Sequence, residues 1–169
     1  MYIPDTEMET PIMDDEFYFR HNLYGQYDTG GVPFVEDMNH FMKPNQNALI
    51  YGHRLRSGTD FGMLKSYLDK AFYEEHPDIK LETTAGETSW HIISVFSINI
   101  ASDSFAYTTC GNLSDTATRN TFFNGIKQRN EINTGDYSFK TGDEFITLST
   151  CHYEEDPDDG RLVVVAVRS

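Results

Sequence analysis

Apolar and polar positions in this chain follow two periods, and the clearest stretch comes near its end. Residues 145–151, Phe-Ile-Thr-Leu-Ser-Thr-Cys, are rich in β-branched and apolar residues and predict a strand. Side chains alternate across a strand, so Phe145, Thr147, Ser149 and Cys151 share one face. Residues 161–167, Arg-Leu-Val-Val-Val-Ala-Val, form a nearly unbroken apolar run, as in a strand covered on both faces. An acidic connection carrying the turn residues Pro157 and Gly160 separates the two. If these strands are neighbours, a cysteine ending one and an arginine opening the next lie at the same sheet edge. A thiolate is stabilised by a nearby cation, and an acyl-transfer oxyanion by a fixed donor; one arginine could serve either need.

Upstream, residues 2–13 read as a short strand, a Pro4-Asp5-Thr6 turn and a second apolar piece. Residues 16–35 are aromatic and glycine-rich, which predicts loop and turn, with a brief strand at Val32–Val35. Ala48-Leu49-Ile50-Tyr51 predicts a buried strand stopped by Gly52-His53. Phe61, Leu64, Leu68, Ala71 and Phe72 recur at helical spacing, with Thr59 or Asp60 as cap. Trp90–Ile100 predicts a strand that Phe105-Ala106-Tyr107 continues less clearly. Residues 114–130 predict a second helix, with Ser114 or Asp115 as cap, Phe122 and Ile126 apolar, and Lys127 and Arg129 suited to its C-terminal end. Turns at 134–136 and 141–143 flank a weak strand at 137–139. About seven or eight short strands and two helices predict a mostly antiparallel barrel with helices outside it.

Composition narrows the function. The chain has 169 residues, enough for one domain with a sizeable core. Its net charge of −14 argues against a nucleic-acid partner, because phosphate binding needs a basic face. No apolar run approaches the roughly 20 residues that span a bilayer, and no signal peptide is visible. Two cysteines, Cys110 and Cys151, make neither a disulfide framework nor a zinc-site spacing, although a bridge between them stays open. A buried, inert thiol suits Cys110 better than Cys151, which ends a strand before a polar loop.

Among six histidines, His53 stands out because it ends a buried strand and precedes a loop, a common setting for catalytic side chains. A lone histidine in such a place more often serves structure than chemistry. His152 adjoins Cys151 in sequence, but alternation turns it to the opposite face, so it is the weaker partner. Glu154, Glu155, Asp156, Asp158 and Asp159 crowd the connection before Arg161. They lack the regular ligand spacing and distal glutamate of a calcium loop, so a solvated loop is expected, with no metal and no cofactor.

Thr-Leu-Ser-Thr-Cys151, followed ten positions later by Arg161-Leu-Val-Val-Val, resembles the active-site signature of sortases. Ile50-Tyr51-Gly52-His53 with Gly58-Thr59-Asp60-Phe61-Gly62-Met63-Leu64 resembles the histidine region of that family. The order of Tyr2-Ile3-Pro4, the aromatic segment Tyr18–Gly25 and the 114–130 helix is most similar to class B sortases. The resemblance covers nearly the whole chain. It implies a closed β-barrel of about eight strands with two or more peripheral helices, formed by residues 1–169 as one catalytic domain. It implies a cysteine transpeptidase in which Cys151 attacks the carbonyl after threonine in a sorting motif, forming a thioacyl intermediate. Arg161 would stabilise the oxyanion, and His53, as imidazolium, would protonate the leaving amine; Ser149 and Thr150 would bind substrate. The partners implied are a surface protein bearing the motif and an amine of a peptidoglycan precursor, or a pilin lysine. The enzyme would work as a monomer on the outer face of a Gram-positive membrane, held by an N-terminal anchor that this chain lacks. A pilin-polymerising sortase, a hydrolytic cysteine peptidase on the same scaffold and a non-catalytic surface-binding module are the rival readings. No lid motif precedes the first strand, which speaks against the first of these. Many class B members carry an acidic residue just after the cysteine; His152 and Tyr153 stand there, so no acid role carries over.

Overall fold

The computed structural model describes residues 1–55, 60–152 and 156–169. Its centre is one six-stranded sheet: β1 (Phe34–Val35), β2 (Gln46–Tyr51), β3 (Asp78–Thr83), β4 (Gly86–Asn99), β5 (Glu144–Cys151) and β6 (Gly160–Arg168). The spatial order is β1-β2-β5-β6-β4-β3. All neighbours are antiparallel except β2 and β5, which run parallel.

β6 is covered on both faces, as its unbroken apolar run predicts. Leu162, Val164 and Ala166 pack inward with Ile50, Trp90, Ile92, Ile146 and Leu148. Val163, Val165 and Val167 pack outward with Phe96, Phe122, Ile126 and Phe145. The inner face is sealed by the N-terminal residues Met1, Ile3 and Met8 and by Phe61, Leu64, Tyr67 and Tyr73. The outer face is sealed by α2 (Thr116–Arg129) and by the segment holding Phe105, Tyr107, Cys110 and Leu113. The Asp115 carboxylate caps α2 by accepting from the Thr118 N–H at 2.7 Å, a contact that satisfies one otherwise unpaired first-turn donor.

Several expectations change. Among the described residues the sheet has six strands rather than about eight. The N-terminal segment instead reaches both sheet edges through isolated bridges. Tyr2 exchanges two backbone hydrogen bonds of 2.9 Å with Lys80 of β3. Met13 bridges Phe34 of β1, and the Val35 N–H donates to the Met13 carbonyl at 2.9 Å. Prolines 4, 11 and 33 interrupt the run there, and proline cannot donate to a ladder. The 61–72 helix is broken: Phe61–Leu68 is 3-10, and α1 (Lys70–Glu75) restarts after Asp69, whose carboxylate accepts from the Ala71 N–H. Asp60 precedes the 3-10 segment without a side-chain cap bond; Thr59 lies outside the described residues. Residues 137–139 form no strand; Tyr137 and Phe139 pack their rings on Phe123 and Phe145 instead. The 105–107 stretch leaves β4 and ends in a 3-10 turn at Tyr107–Thr109.

Candidate active site

The outer face of the sheet changes character at its upper end. Below, Phe145 and Val165 are apolar and the buried Thr147 hydroxyl donates to Asn47 Oδ1 at 2.8 Å; above, Ser149 faces Val163, and Cys151 and Arg161 continue the same alternation. Cys151 and Arg161 are direct cross-strand partners, the last paired residues of β5 and β6. Directly opposed residues of an antiparallel pair project to the same face with Cβ atoms about 5 Å apart. Arg161 Nη1 donates to the carbonyls of Asp158 at 2.9 Å and Gly160 at 2.8 Å. The loop's own backbone thereby anchors the guanidinium. Its Nε and Nη2 make no hydrogen bond among the described residues and remain as donors.

The parallel pair brings the histidine to the same level. Tyr51 lies opposite Ser149, and the Gly52 N–H still donates to the Ser149 carbonyl at 3.2 Å. His53 therefore leaves β2 level with Cys151. Gly52 is required by close approach: a Cβ there would lie 2.6 Å from the Phe61 ring. His53 Nε2 sits 2.9 Å from the Phe19 carbonyl, and the two rings stack with centroids 4.0 Å apart. Burial pushes the His53 pKa below its ordinary value; the carbonyl bond opposes this and the nearby Arg20 charge adds to it. Burial disfavours the charged ring, because a half-buried imidazole loses the water that would solvate its charge.

Tyr107 was not singled out from sequence, yet it completes the upper face. It is buried, and its hydroxyl lies 2.8 Å from Ser149 Oγ. Burial raises its pKa, while its bond to Ser149 and the Arg161 charge lower it and Cys151 raises it, which places Tyr107 within electrostatic reach of both. The signal missed was Tyr107 itself, read as a fading strand rather than as a turn that delivers a phenol. Tyr51 lies in the same field; burial first, then Glu36 and Tyr107, raise its pKa strongly.

The expected substrate contacts sit deeper. Ser149 is 1% exposed with its hydroxyl on Tyr107, and Thr150 is 2% exposed with no hydrogen bond to its Oγ1 among the described residues. The two cysteines are not bridged: both are free. Cys110 is 2% exposed, and burial raises its thiol pKa, whereas Cys151 is half-buried. His152 is buried. In the acidic loop, Asp156 accepts from the Asp158 and Asp159 N–H groups, both at 2.9 Å, and these bonds lower its carboxyl pKa. Glu154 and Glu155 lie outside the described residues. Among the described residues no cluster could hold a metal ion, and no helix is long and apolar enough to cross a membrane.

A mostly-β fold with a cysteine and an arginine paired across its edge defines a class, and the chain belongs to the sortase family: the Sortase domain model matches residues 1–169. Within that family the similarity is to class B. Sortase B of Listeria monocytogenes is 30% identical over 165 residues, covering 96% of this chain and 65% of the relative. This chain therefore spans about two thirds of that protein's length. The solved sortase B of Clostridium perfringens superposes with a TM-score of 0.83 at 24% identity, covering 99% of this chain and 90% of that one. A sortase B solved in complex with triglycine superposes with a TM-score of 0.80 at 23% identity, covering 99% and 77%.

Proposed function

We propose that residues 1–169 form one catalytic unit, a class B-like cysteine transpeptidase. It would cleave a C-terminal sorting motif after threonine and join the surface protein to a cell-wall amine. The observation that carries this reading is the cross-strand pair Cys151–Arg161, with His53 leaving the adjacent parallel strand at the same level. Cys151 Sγ attacks the threonine carbonyl while its proton passes to the neutral His53 ring. Arg161 donates its Nε and Nη2 N–H groups to the oxyanion, which is worth most when the donor is fixed beforehand. The protonated His53 gives its proton to the departing amine as the C–N bond breaks, leaving a thioester on Cys151. An incoming amine attacks that thioester, loses a proton to His53, and expels the Cys151 thiolate.

The triglycine complex of a relative fits an amine of the peptidoglycan kind as acceptor; a pilin lysine is the alternative. Ser149 acts from below by holding Tyr107 against the site, Thr150 meets the substrate through its backbone at the end of β5, and α2 forms one wall of the peptide groove. A monomeric state and a place at the Gram-positive cell surface belong to the same reading. The test is product analysis with a panel of fluorogenic sorting peptides, with and without a glycine-based amine. Transpeptidation predicts an amide-linked product that appears only with the amine and disappears in Cys151→Ala. Cleavage without any ligated product at saturating amine would instead identify a hydrolytic peptidase.

A further inference from the structure

The 16–32 segment, which opens with a 3-10 turn at Glu16–Arg20, meets His53 through Phe19. Its neighbours' carbonyls are already used within the loop: Tyr18 O accepts from the His21 and Val32 N–H groups, and Arg20 O from the Asp28 N–H. Phe19 O is turned outward to His53 Nε2 at 2.9 Å. The Phe19 ring stacks on the imidazole at 4.0 Å and is braced edge-on by Phe34 of β1 at 5.8 Å. The Arg20 guanidinium lies 5.4 Å from the centroid of the same ring. Gly31 leaves room for this arrangement. Its φ is +54°, and a Cβ there would fall 2.3 Å from Phe19 O and 2.7 Å from Tyr18 O.

We propose that Phe19 is a positioning residue for His53: its carbonyl and ring, given space by Gly31, hold the imidazole as the Nε2–H tautomer and leave Nδ1 to carry the proton. A carbonyl oxygen only accepts, so Nε2 must donate and cannot also serve as the base. Resting on the reaction proposed above, the clamp assigns every transfer to Nδ1. Nδ1 takes the Sγ proton as sulfur attacks, returns it to the leaving amine, and takes one from the acceptor amine. The bond to Phe19 O persists throughout and strengthens while the ring is charged, as a hydrogen bond to a charged donor does.

The tautomer is read by nitrogen NMR of the resting, histidine-labelled chain, with the His53 signals assigned from the spectrum of His53→Gln. The clamp predicts a directly bonded proton on Nε2 and none on Nδ1 at neutral pH. Gly31→Ala should displace the carbonyl, mix the two tautomers and lower kcat by roughly tenfold to a hundredfold, with KM for the sorting peptide within about twofold. Phe19→Ala keeps the carbonyl and should keep the Nε2–H signal while broadening it. A proton on Nδ1 in the wild-type chain overturns the clamp, as does an unchanged tautomer and kcat in folded Gly31→Ala. If Gly31→Ala does not fold, the wild-type tautomer decides alone. Because that signal needs no turnover, an Nε2–H ring in a chain that ligates no peptide would uphold the clamp and overturn the reaction.

Discussion

The two faces of the central sheet are made by the same strands yet end differently. On the inner face, Ile50, Leu148, Leu162 and Val164 pack in the core, and β5 ends there in the buried Thr150. On the outer face, Val165 and Val163 give way to Ser149, Tyr107, Cys151 and Arg161. One alternation pattern supplies both, so a change of residue type along one face is enough to turn a packed core into a site. The inner face keeps the strands in register, and register is what brings position 53 level with position 151.

The largest effect should separate the two thiols. Cys151→Ala is expected to abolish peptide cleavage and leave the melting temperature near that of the parent, since the thiol lies at the strand end. Cys110→Ala should retain activity and lose about 1 kcal/mol of stability, because a buried sulfur is removed from the outer core. Kinetics and calorimetry on both variants check this; an inactive Cys110→Ala beside an active Cys151→Ala would assign the nucleophile to the other cysteine.

Next comes Arg161→Lys. Lysine keeps the charge but not the planar fork that lets one nitrogen hold the Asp158 and Gly160 carbonyls while others face the site. A fall of about a hundredfold or more in kcat/KM is expected, in line with loss of an oxyanion donor. A variant within threefold of the parent would show that charge alone suffices.

Phe122→Ala tests the lower half of the outer face. It removes a fully buried ring that joins α2 to Phe145, and should cost roughly 3–5 kcal/mol in denaturant unfolding. A loss below about 1 kcal/mol would mean that α2 does not seal this face.

The strand bodies were legible in the sequence because period and composition agree there: residues 145–151 and 161–167 matched β5 and β6 almost to the residue. The Cys151–Arg161 pairing followed from alternation once the strands were neighbours. β3 was missed although Ile79 and Leu81 alternate, because its two-residue turn at Thr84-Ala85 carries no Asn-Gly or Asp-Gly signal. The missing barrel strands reflect prolines that leave single bridges in place of ladders. Phe19 was invisible for another reason: its role lies in a backbone carbonyl, which no side-chain pattern encodes.

Tyr107→Phe should have a smaller effect. It leaves Ser149 Oγ buried without its partner, which costs about 1–3 kcal/mol, and the Ser149→Ala double variant should recover part of that loss. Equal stability of Tyr107→Phe and the parent would make the phenol–serine bond immaterial. The smallest effect belongs to the acidic loop. The Asp156 carboxylate holds its own turn, so the loop's charge is tested by changing Glu154 and Glu155, which leaves that turn in place. Neutralising both to glutamine should raise the apparent KM for the amine less than about threefold, and more at low salt than at high. Identical amine kinetics at low ionic strength would leave the loop a connector.

The most direct test is to trap the intermediate. The protein is mixed with a sorting peptide without amine, quenched in acid, and the modified residue located by mass spectrometry. A thioester carrying the peptide up to its threonine is expected on Cys151, and it should convert to an amide-linked product when amine is added. An adduct on Cys110, or turnover that never modifies a cysteine, would contradict the assignment of Cys151 as the nucleophile.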